Sequence, residues 1–357
     1  MSDSLRSDPG HIDAIDSAVD LAGLLAAGTP FLDVRAPAEF AHGSVPGAVN
    51  VPLLDDAERH RVGLTYKRDG EEAAVALGYR LVSGETRERR EQWWLAFAEA
   101  HPDGWIYCWR GGRRSQLAQA WLRALGVPLP RVPGGFKALR HTCLDTLDRA
   151  PRHKHWIVLG GRTGSGKTDL LRTLANAIDL EGLANHRGSA FGAQDEPQPT
   201  PVSFDNALAV AYLQHRGERL VVEDESRTIG RLALPQRWHE HMQTAPLALL
   251  DTPLEQRLAN ITYEYVNEPL GRGVPESTLY ARYSDALRRI ERRLGGLRRQ
   301  AVQQALDLGF AHGDHGPWVE QLLTWYYDPM YDHQLQTKRT RIVAHGCRDE
   351  LSAYLSE

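Results

Sequence analysis

The chain has 357 residues, 42% hydrophobic and 25% charged, with a formal net charge of −4. Length and composition predict a soluble globular protein of two or three domains. They exclude a membrane-spanning protein, a disulfide scaffold and a uniformly basic nucleic-acid binder. The polar start Met1-Ser2-Asp3-Ser4 lacks a signal peptide's basic and apolar regions, which predicts a cytoplasmic location with no membrane partner. Cys108, Cys143 and Cys347 are too scattered for a disulfide framework or zinc, so free thiols are expected.

In chain order, Ser17 to Ala27 reads as a helix capped by Ser17 and ended by Gly28, followed by a strand over Phe31 to Val34. A turn-rich run, Ala41 to Ala48, leads to a short strand around Val49 to Val51. Glu85 to Ala100 has helical character, Trp105 to Cys108 is a β-rich run, and Gln116 to Leu125 is helical again. The alternation predicts a parallel α/β sheet.

A second α/β pattern opens near His155. Trp156 to Leu159 is a buried-strand run, Gly161 to Thr168 a glycine loop, and Asp169 to Ala177 has helical spacing. Strands are expected at Leu220 to Glu223 and Leu247 to Leu250. After Thr252 the pattern turns helical, over Glu255 to Tyr265, Pro275 to Leu294, Arg298 to Leu308 and Trp318 to Tyr326. The boundaries expected are a tail over 1–14, a first domain over 15–140, a linker helix over 141–153, a phosphate-loop domain over 154–252, and a helical, basic region over 253–357.

Cys108 lies between a strand and a helix, in Tyr107-Cys108-Trp109-Arg110-Gly111-Gly112-Arg113-Arg114-Ser115. Backbone amides and a helix N-terminus at such a turn stabilise an anion. Flanking Arg110, Arg113 and Arg114 are expected to hold the thiol below the free value of about 8.5, giving a thiolate that accepts or attacks a chalcogen. Arg110 and Arg113 join Cys108 as candidate catalytic residues.

Gly161-Arg162-Thr163-Gly164-Ser165-Gly166-Lys167-Thr168 fits the pattern that cradles a diphosphate. Amides around Gly161, Gly164, Ser165 and Gly166 would surround the phosphates, Lys167 would reach the outer oxygens, and Thr168 would hold Mg²⁺. An acidic residue at the end of the Leu220 to Val222 strand would share the metal, Asp224 first and Glu223 second. Arg187 and Ser189, in a donor-rich loop over Leu180 to Gly192, are further candidates for the anion.

Arg288 with Arg292, and Arg289 with Arg293, stand four apart on a predicted helix. Like charges at that spacing destabilise a helix unless an anion compensates, and a polynucleotide backbone would do so. Trp325, Tyr326, Tyr327 and Tyr331 suit either base stacking or core packing.

Asp33-Val34-Arg35 with Glu39-Phe40, the run His42 to Pro52, the Cys108 loop and Gly134-Gly135-Phe136 resemble the signatures of rhodanese domains. Adding Val62-Gly63 with Tyr66-Lys67, the glycine loop, Leu180 to Gly192, Glu223 to Arg227 and Tyr326 to Tyr331, the chain resembles the bacterial tRNA 2-selenouridine synthase family. The resemblance implies a rhodanese-like parallel-sheet domain followed by a P-loop NTPase-like α/β domain with a helical C-terminal region. It further implies that selenium replaces sulfur at C2 of the wobble 2-thiouridine of tRNA, through S-geranyl-2-thiouridine, with geranyl diphosphate and selenophosphate as substrates. A selenophosphate-supplying enzyme is a further expected partner. Within this picture Cys108 either carries selenium or receives the leaving group, and the P-loop diphosphate need not be a nucleotide. The competing reading is a rhodanese-type sulfurtransferase with a regulatory ATP- or GTP-binding domain.

Overall fold

A computed structural model describes residues 19–356. The chain divides into two compact units, residues 1–143 and 144–357, and helix Gly135–Arg149 carries the backbone across that division.

The first unit opens with α1 (Leu21–Ala26), whose first turn is capped by Asp20, the carboxylate accepting from the Gly23 amide. Ser17, expected to cap this helix, lies outside the described residues. Strand β1 (Phe31–Asp33) follows, then α2 (Pro37–His42), β2 (Ala48–Asn50), α3 (Asp56–Asp69), α4 (Glu71–Leu81), α5 (Gly84–Ala100), β3 (Trp105–Tyr107) and α6 (Arg113–Ala124), with α7 (Gly135–Arg149) closing the unit. The strands form a parallel sheet in the order β2-β1-β3, and Ile106 bridges to Arg131 beyond it. Leu32, Val34, Trp94, Ile106, Ala118 and Leu122, each fully covered, form the core between sheet and helices. Helices α3 and α4 were not expected. Helix α3 buries none of its residues, so it has no apolar stripe for a periodicity argument to detect.

The second unit begins with β4 (His155–Gly161) and α8 (Lys167–Leu171), then β5 (Ala177–Ile178), α9 (Leu180–Ala184), α10 (Pro201–Gln214) and β6 (Arg219–Glu223). A small hairpin, β7 (Thr228–Ile229) with β8 (Leu232–Ala233), precedes α11 (Gln236–Met242) and β9 (Leu247–Leu250). The helices α12 (Leu254–Thr262), α13 (Glu268–Gly271), α14 (Glu276–Leu294), α15 (Gly296–His312), α16 (Gly316–Leu322) and α17 (Asp328–Lys338) come next. The chain then returns to the sheet as β10 (Ile342–Gly346) and ends in α18 (Arg348–Ser356).

The five strands are parallel, ordered β10-β9-β4-β6-β5, so the phosphate loop leaves the central strand. Two expectations change. The helix expected over Asp169 to Ala177 stops at Leu171, because Ala177 and Ile178 pair with Val221 and Val222 as β5. The last region, expected to be helical throughout, supplies edge strand β10.

Two π-helical turns, Tyr263–Asn267 and Leu323–Tyr327, each precede an acid-proline pair, Glu268-Pro269 and Asp328-Pro329. A proline supplies no amide to the helical ladder, and the widened turn accommodates the loss. Tyr265, Val266, Leu323, Tyr326 and Tyr327 from these turns pack with Tyr283 and Trp318 in one buried cluster.

Candidate active site

Cys108 follows β3, and the loop after it is held from two sides. Phe136 and Lys137 amides donate to the carbonyls of Cys108 and Trp109, at 2.9 and 3.0 Å. Gly111 has φ +65°, and a Cβ there would lie 2.9 Å from the Val132 carbonyl. A Cβ on Gly135 would lie 2.2 Å from the Cys108 carbonyl. Gly111 and Gly134-Gly135 are therefore two halves of one backbone contact. Arg131, missed in the sequence, donates to the Gly111 carbonyl.

Beneath the loop, Arg35 and Asp33 form a fully buried pair with Nη2 to Oδ2 at 2.6 Å, and Arg35 also donates to the Gly43 carbonyl at 2.8 Å. Burial pushes the Asp33 carboxyl up, against the pull of Arg35. The guanidinium stacks on Phe136 at 3.8 Å. The conspicuous residues of the first sequence signature thus form a buried polar support for the cysteine loop.

The Cys108 thiol is 3% exposed, with Sγ 3.2 Å from Ser115 Oγ and 3.7 Å from the Gly112 carbonyl. Among the described residues the amides of Trp109, Arg110, Gly111 and Gly112 donate no hydrogen bond. Four free amides in the loop that follows the sulfur are donors open to an anion. The arginines divide their work. Arg114 is held by Glu39 at 2.5 Å, and although burial opposes its charge, Glu39, Cys108 and Asp33 hold its pKa above the ordinary value. Arg113 pairs with Glu71 on the surface at 2.7 Å, and Arg110 is exposed with no ion pair among the described residues. Ser115 and Arg114 thus face the sulfur's surroundings, and Ser115 was singled out by no sequence argument.

In the second unit, the Gly161 to Thr168 loop is braced through its carbonyls. Arg257 Nε donates to Thr163 at 2.9 Å, Asn260 to Gly164 at 2.9 Å, and Thr252 to Ser165 at 3.0 Å. Among the described residues the amides of Thr163, Gly164 and Gly166 donate no hydrogen bond. Gly164 and Gly166 take φ values of +78° and +79°, and a Cβ on Gly164 would strike Ile261 at 2.6 Å. Carbonyls tied outward and amides free are what a diphosphate needs. Lys167 Nζ lies 3.0 Å from the Gly161 carbonyl, and Ser165 Oγ is buried without a partner among the described residues.

Helix α17 straps this loop. Asp328 pairs with Arg257, Asp332 with Arg162 at 2.8 Å, and Lys338 with both Asp224 oxygens at 2.7 Å. Asp224, the first choice for the metal, is therefore engaged by an ammonium, and Glu223 is buried with one oxygen on the Leu180 and Glu181 amides. The carboxylate at Thr168 is Glu181, whose Oε2 accepts from the Thr168 hydroxyl at 3.1 Å. Hydroxyl and carboxylate oxygens suit Mg²⁺, so Thr168 and Glu181 fit that ion, while Asp224 in its ion pair does not. Sequence reasoning missed Glu181, the second residue of the donor-rich stretch Leu180 to Gly192, because no strand end marks it as Asp224 is marked.

Glu181 faces a second carboxylate. A Cβ on Gly188 would stand 2.6 Å from Glu181 Oε1 and 2.7 Å from Glu225 Oε2. Desolvation, then the Glu181 charge, pushes Glu225 up to about 8, while Lys167 pulls it down. Glu181 is also raised, chiefly by burial. Thr168, Glu181, Arg187 and Glu264 line a cavity of about 590 Å³. Burial pushes Glu264 up to about 7. Arg187, a predicted anion ligand, reaches this cavity with its guanidinium on Glu268 at 2.9 Å. Ser189 does not line it and instead meets the Tyr265 hydroxyl at 3.0 Å.

Arg288, Arg289, Arg292 and Arg293 lie exposed on α14, whose buried face is Leu279, Tyr283, Leu287 and Ile290. Arg288 pairs with Asp285, and Arg289 donates to the Ala190 carbonyl, while Arg292 and Arg293 have no ion pair among the described residues. Tyr326 and Tyr327 belong to the core, Trp325 packs half-buried against it, and Tyr331 lies by Gly160.

A parallel-sheet unit with a cysteine loop after its last strand, followed by a parallel-sheet unit with a glycine-rich P-loop after its central strand, defines an enzyme in which a rhodanese-like domain is fused to a P-loop domain. Family models match both parts: a Rhodanese-like domain over residues 17–142 and a tRNA 2-selenouridine synthase AAA domain over residues 154–357. The tRNA 2-selenouridine synthase of Bordetella bronchiseptica is 46% identical, over 94% of this chain and 96% of its own. Those of Shewanella loihica and Sulfurovum sp. are each 43% identical, over 95% and 97% of this chain and 96% and 100% of theirs. The chain belongs to the tRNA 2-selenouridine synthase family and is an enzyme of that type.

Proposed function

We propose that the protein replaces sulfur by selenium at C2 of the wobble 2-thiouridine of tRNA, in two steps that use its two cradles in turn. First, geranyl diphosphate is held by the phosphate loop, with Lys167, the free amides and Arg187 on its oxygens and Mg²⁺ on Thr168. The nucleoside sulfur attacks the allylic carbon, the carbon–oxygen bond breaks, and diphosphate leaves with its charge held by these groups. In the second step the selenium of selenophosphate attacks C2, the C2–sulfur bond breaks and geranylthiol leaves, and water cleaves the selenium–phosphorus bond to release phosphate and 2-selenouridine. Cys108 serves this step as the proton donor with which the geranylthiolate departs as geranylthiol, its own thiolate regaining a proton from water, with the amides after it and Arg114 holding the negative charge.

The observation that carries this reading is the presence on one chain of two anion cradles of different kinds, one around a sulfur and one around a lysine. Relatives spanning nearly the whole chain are named tRNA 2-selenouridine synthase, and both cradles fall within the residues that the two family models match. Arg288, Arg289, Arg292 and Arg293 supply charge for the tRNA phosphates.

The test is mass spectrometry of nucleosides from 2-thiouridine tRNA incubated with protein, Mg²⁺, geranyl diphosphate and selenophosphate. The expected product is 2-selenouridine, with the S-geranyl nucleoside accumulating in Cys108→Ala and neither forming in Lys167→Ala. An unchanged profile with the wild-type protein overturns the proposal. Nucleoside triphosphate hydrolysis without tRNA would then point to the sulfurtransferase with a regulatory nucleotide domain.

A further inference from the structure

The first unit contains a cavity of about 610 Å³ that neither cradle uses, walled by α3, α4 and α6. Its lining is chiefly apolar, including Val62, Val75, Val82 and Leu117. Arg59, Lys67 and Glu71 also line it, with Arg113 and Arg114 from the first turn of α6, directly after the cysteine loop; Glu71 holds Arg113 and Glu39 holds Arg59 and Arg114, while Lys67 has no ion pair among the described residues. A volume of this size, apolar within and cationic in part, suits an apolar chain carried by an anion.

Two glycines mark the space as deliberate. Gly63 in α3 and Gly78 in α4 both line the cavity, have ordinary helical backbones, and, apart from their chain neighbours and their own helix's backbone, have no atom of the described residues within 4 Å of where a Cβ would stand. Glycine inside a helix destabilises it relative to alanine, and neither position needs glycine for its backbone or for close packing. What the missing side chains leave is room. Leu64, Tyr66 and Tyr79, which also line the cavity, are each more than half exposed, as apolar groups awaiting a cover would be. This region includes the Val62-Gly63 and Tyr66-Lys67 motif, to which no other role falls.

Building on the proposed function, we infer that this cavity holds a ten-carbon prenyl chain, so that the cysteine-bearing unit binds the geranyl group directly. The chain can arrive on geranyl diphosphate or on the geranylated nucleoside, and the chemistry that recognises it is the same.

The test compares the full-length protein with Gly78→Phe and Val75→Trp, both of which fill the cavity, after melting curves establish that each variant is folded. Affinities are measured by anisotropy for an anticodon stem-loop RNA carrying 2-thiouridine and for its S-geranylated twin. The wild type is expected to prefer the geranylated RNA by about tenfold or more, a difference of about 1.4 kcal/mol. Both variants should bind the plain RNA as before and lose the preference. A raised KM for geranyl diphosphate in the variants places the chain here before transfer as well; an unchanged one places it here only afterwards. Absence of any preference in the wild type, or its persistence in both folded variants, overturns the assignment. If the wild type still converts geranylated RNA to 2-selenouridine in that case, the proposed function stands without this cavity. If no conversion occurs at all, displacement of bound anilinonaphthalene sulfonate by geraniol in wild type but not Gly78→Phe retains a prenyl site, and its absence removes it.

Discussion

Arg257 and Asp328 form a two-pronged pair, Nη1 to Oδ2 at 3.0 Å and Nη2 to Oδ1 at 2.5 Å, while Nε of the same guanidinium donates to Thr163 in the phosphate loop. One arginine, 2% exposed, thus ties the phosphate loop to the first residue of α17. Removing the carboxylate leaves a buried cation uncompensated, which costs about 3 kcal/mol. Asp328→Ala should lower the melting temperature and raise the KM for geranyl diphosphate together. Asp332→Ala, which removes an exposed pair to Arg162, should move stability by less than about 1 kcal/mol. Thermal melts of the two variants side by side decide whether the buried pair matters more.

Gly135→Ala is expected to disable the cysteine loop and spare the phosphate loop. The added Cβ would meet the Cys108 carbonyl at 2.2 Å, and the backbone there has φ +60°. Both effects force the chain to shift at the sulfur. The expected signature is accumulation of the S-geranyl nucleoside with little 2-selenouridine, as for Cys108→Ala. Normal selenation by this variant would show that the loop tolerates the displacement.

Much of this architecture was legible in the sequence, for identifiable reasons. Trp156 to Leu159 reads as a buried strand because it is central in a parallel sheet and apolar throughout, and the glycine loop beside it is set by local backbone demands. What was hidden depends on distant partners. Arg172 to Ala175 carry helical spacing, yet the chain is drawn off into β5 by pairing with Val221 and Val222. Strand β10 lies at the sheet edge with Val343 and His345 exposed, so its residues do not form the apolar run that marks a buried strand. Asp224 looked like the metal's carboxylate because of its position after β6, and only the fold reveals Lys338, from a late helix, beside it. The carboxylate that accepts from the Thr168 hydroxyl is Glu181 of α9, a placement no local rule gives.

The Glu181 and Glu225 pair makes a prediction about pH. Burial and the neighbouring Glu181 charge raise Glu225 to about 8 in the folded chain, well above its unfolded value of about 4.3. The folded state therefore binds more protons than the unfolded state between these values. This contribution to stability is complete below about pH 4 and is lost as pH rises towards 8, by at most about 1.4 kcal/mol per pH unit. Glu225→Gln keeps the shape and removes the titration. Melts between pH 5 and 8 should show the wild type losing stability relative to this variant as pH rises. Parallel curves would mean that Glu225 is ionised throughout.

The arginines of α14 can be tested through salt. Arg292 and Arg293 are exposed and have no ion pair among the described residues, whereas Arg288 is already matched by Asp285. A cation that neutralises a tRNA phosphate releases a counterion, so its removal weakens binding and flattens the dependence of affinity on salt. Arg292→Ala and Arg293→Ala should each reduce the slope of log affinity against log salt by up to about one unit, similarly across tRNA sequences. Arg288→Ala should change it less, since Asp285 already offsets that charge. Equal slopes for the wild type and the Arg292→Ala, Arg293→Ala double variant would remove this face from the tRNA contact, leaving the exposed arginines of α14 as a solvated surface.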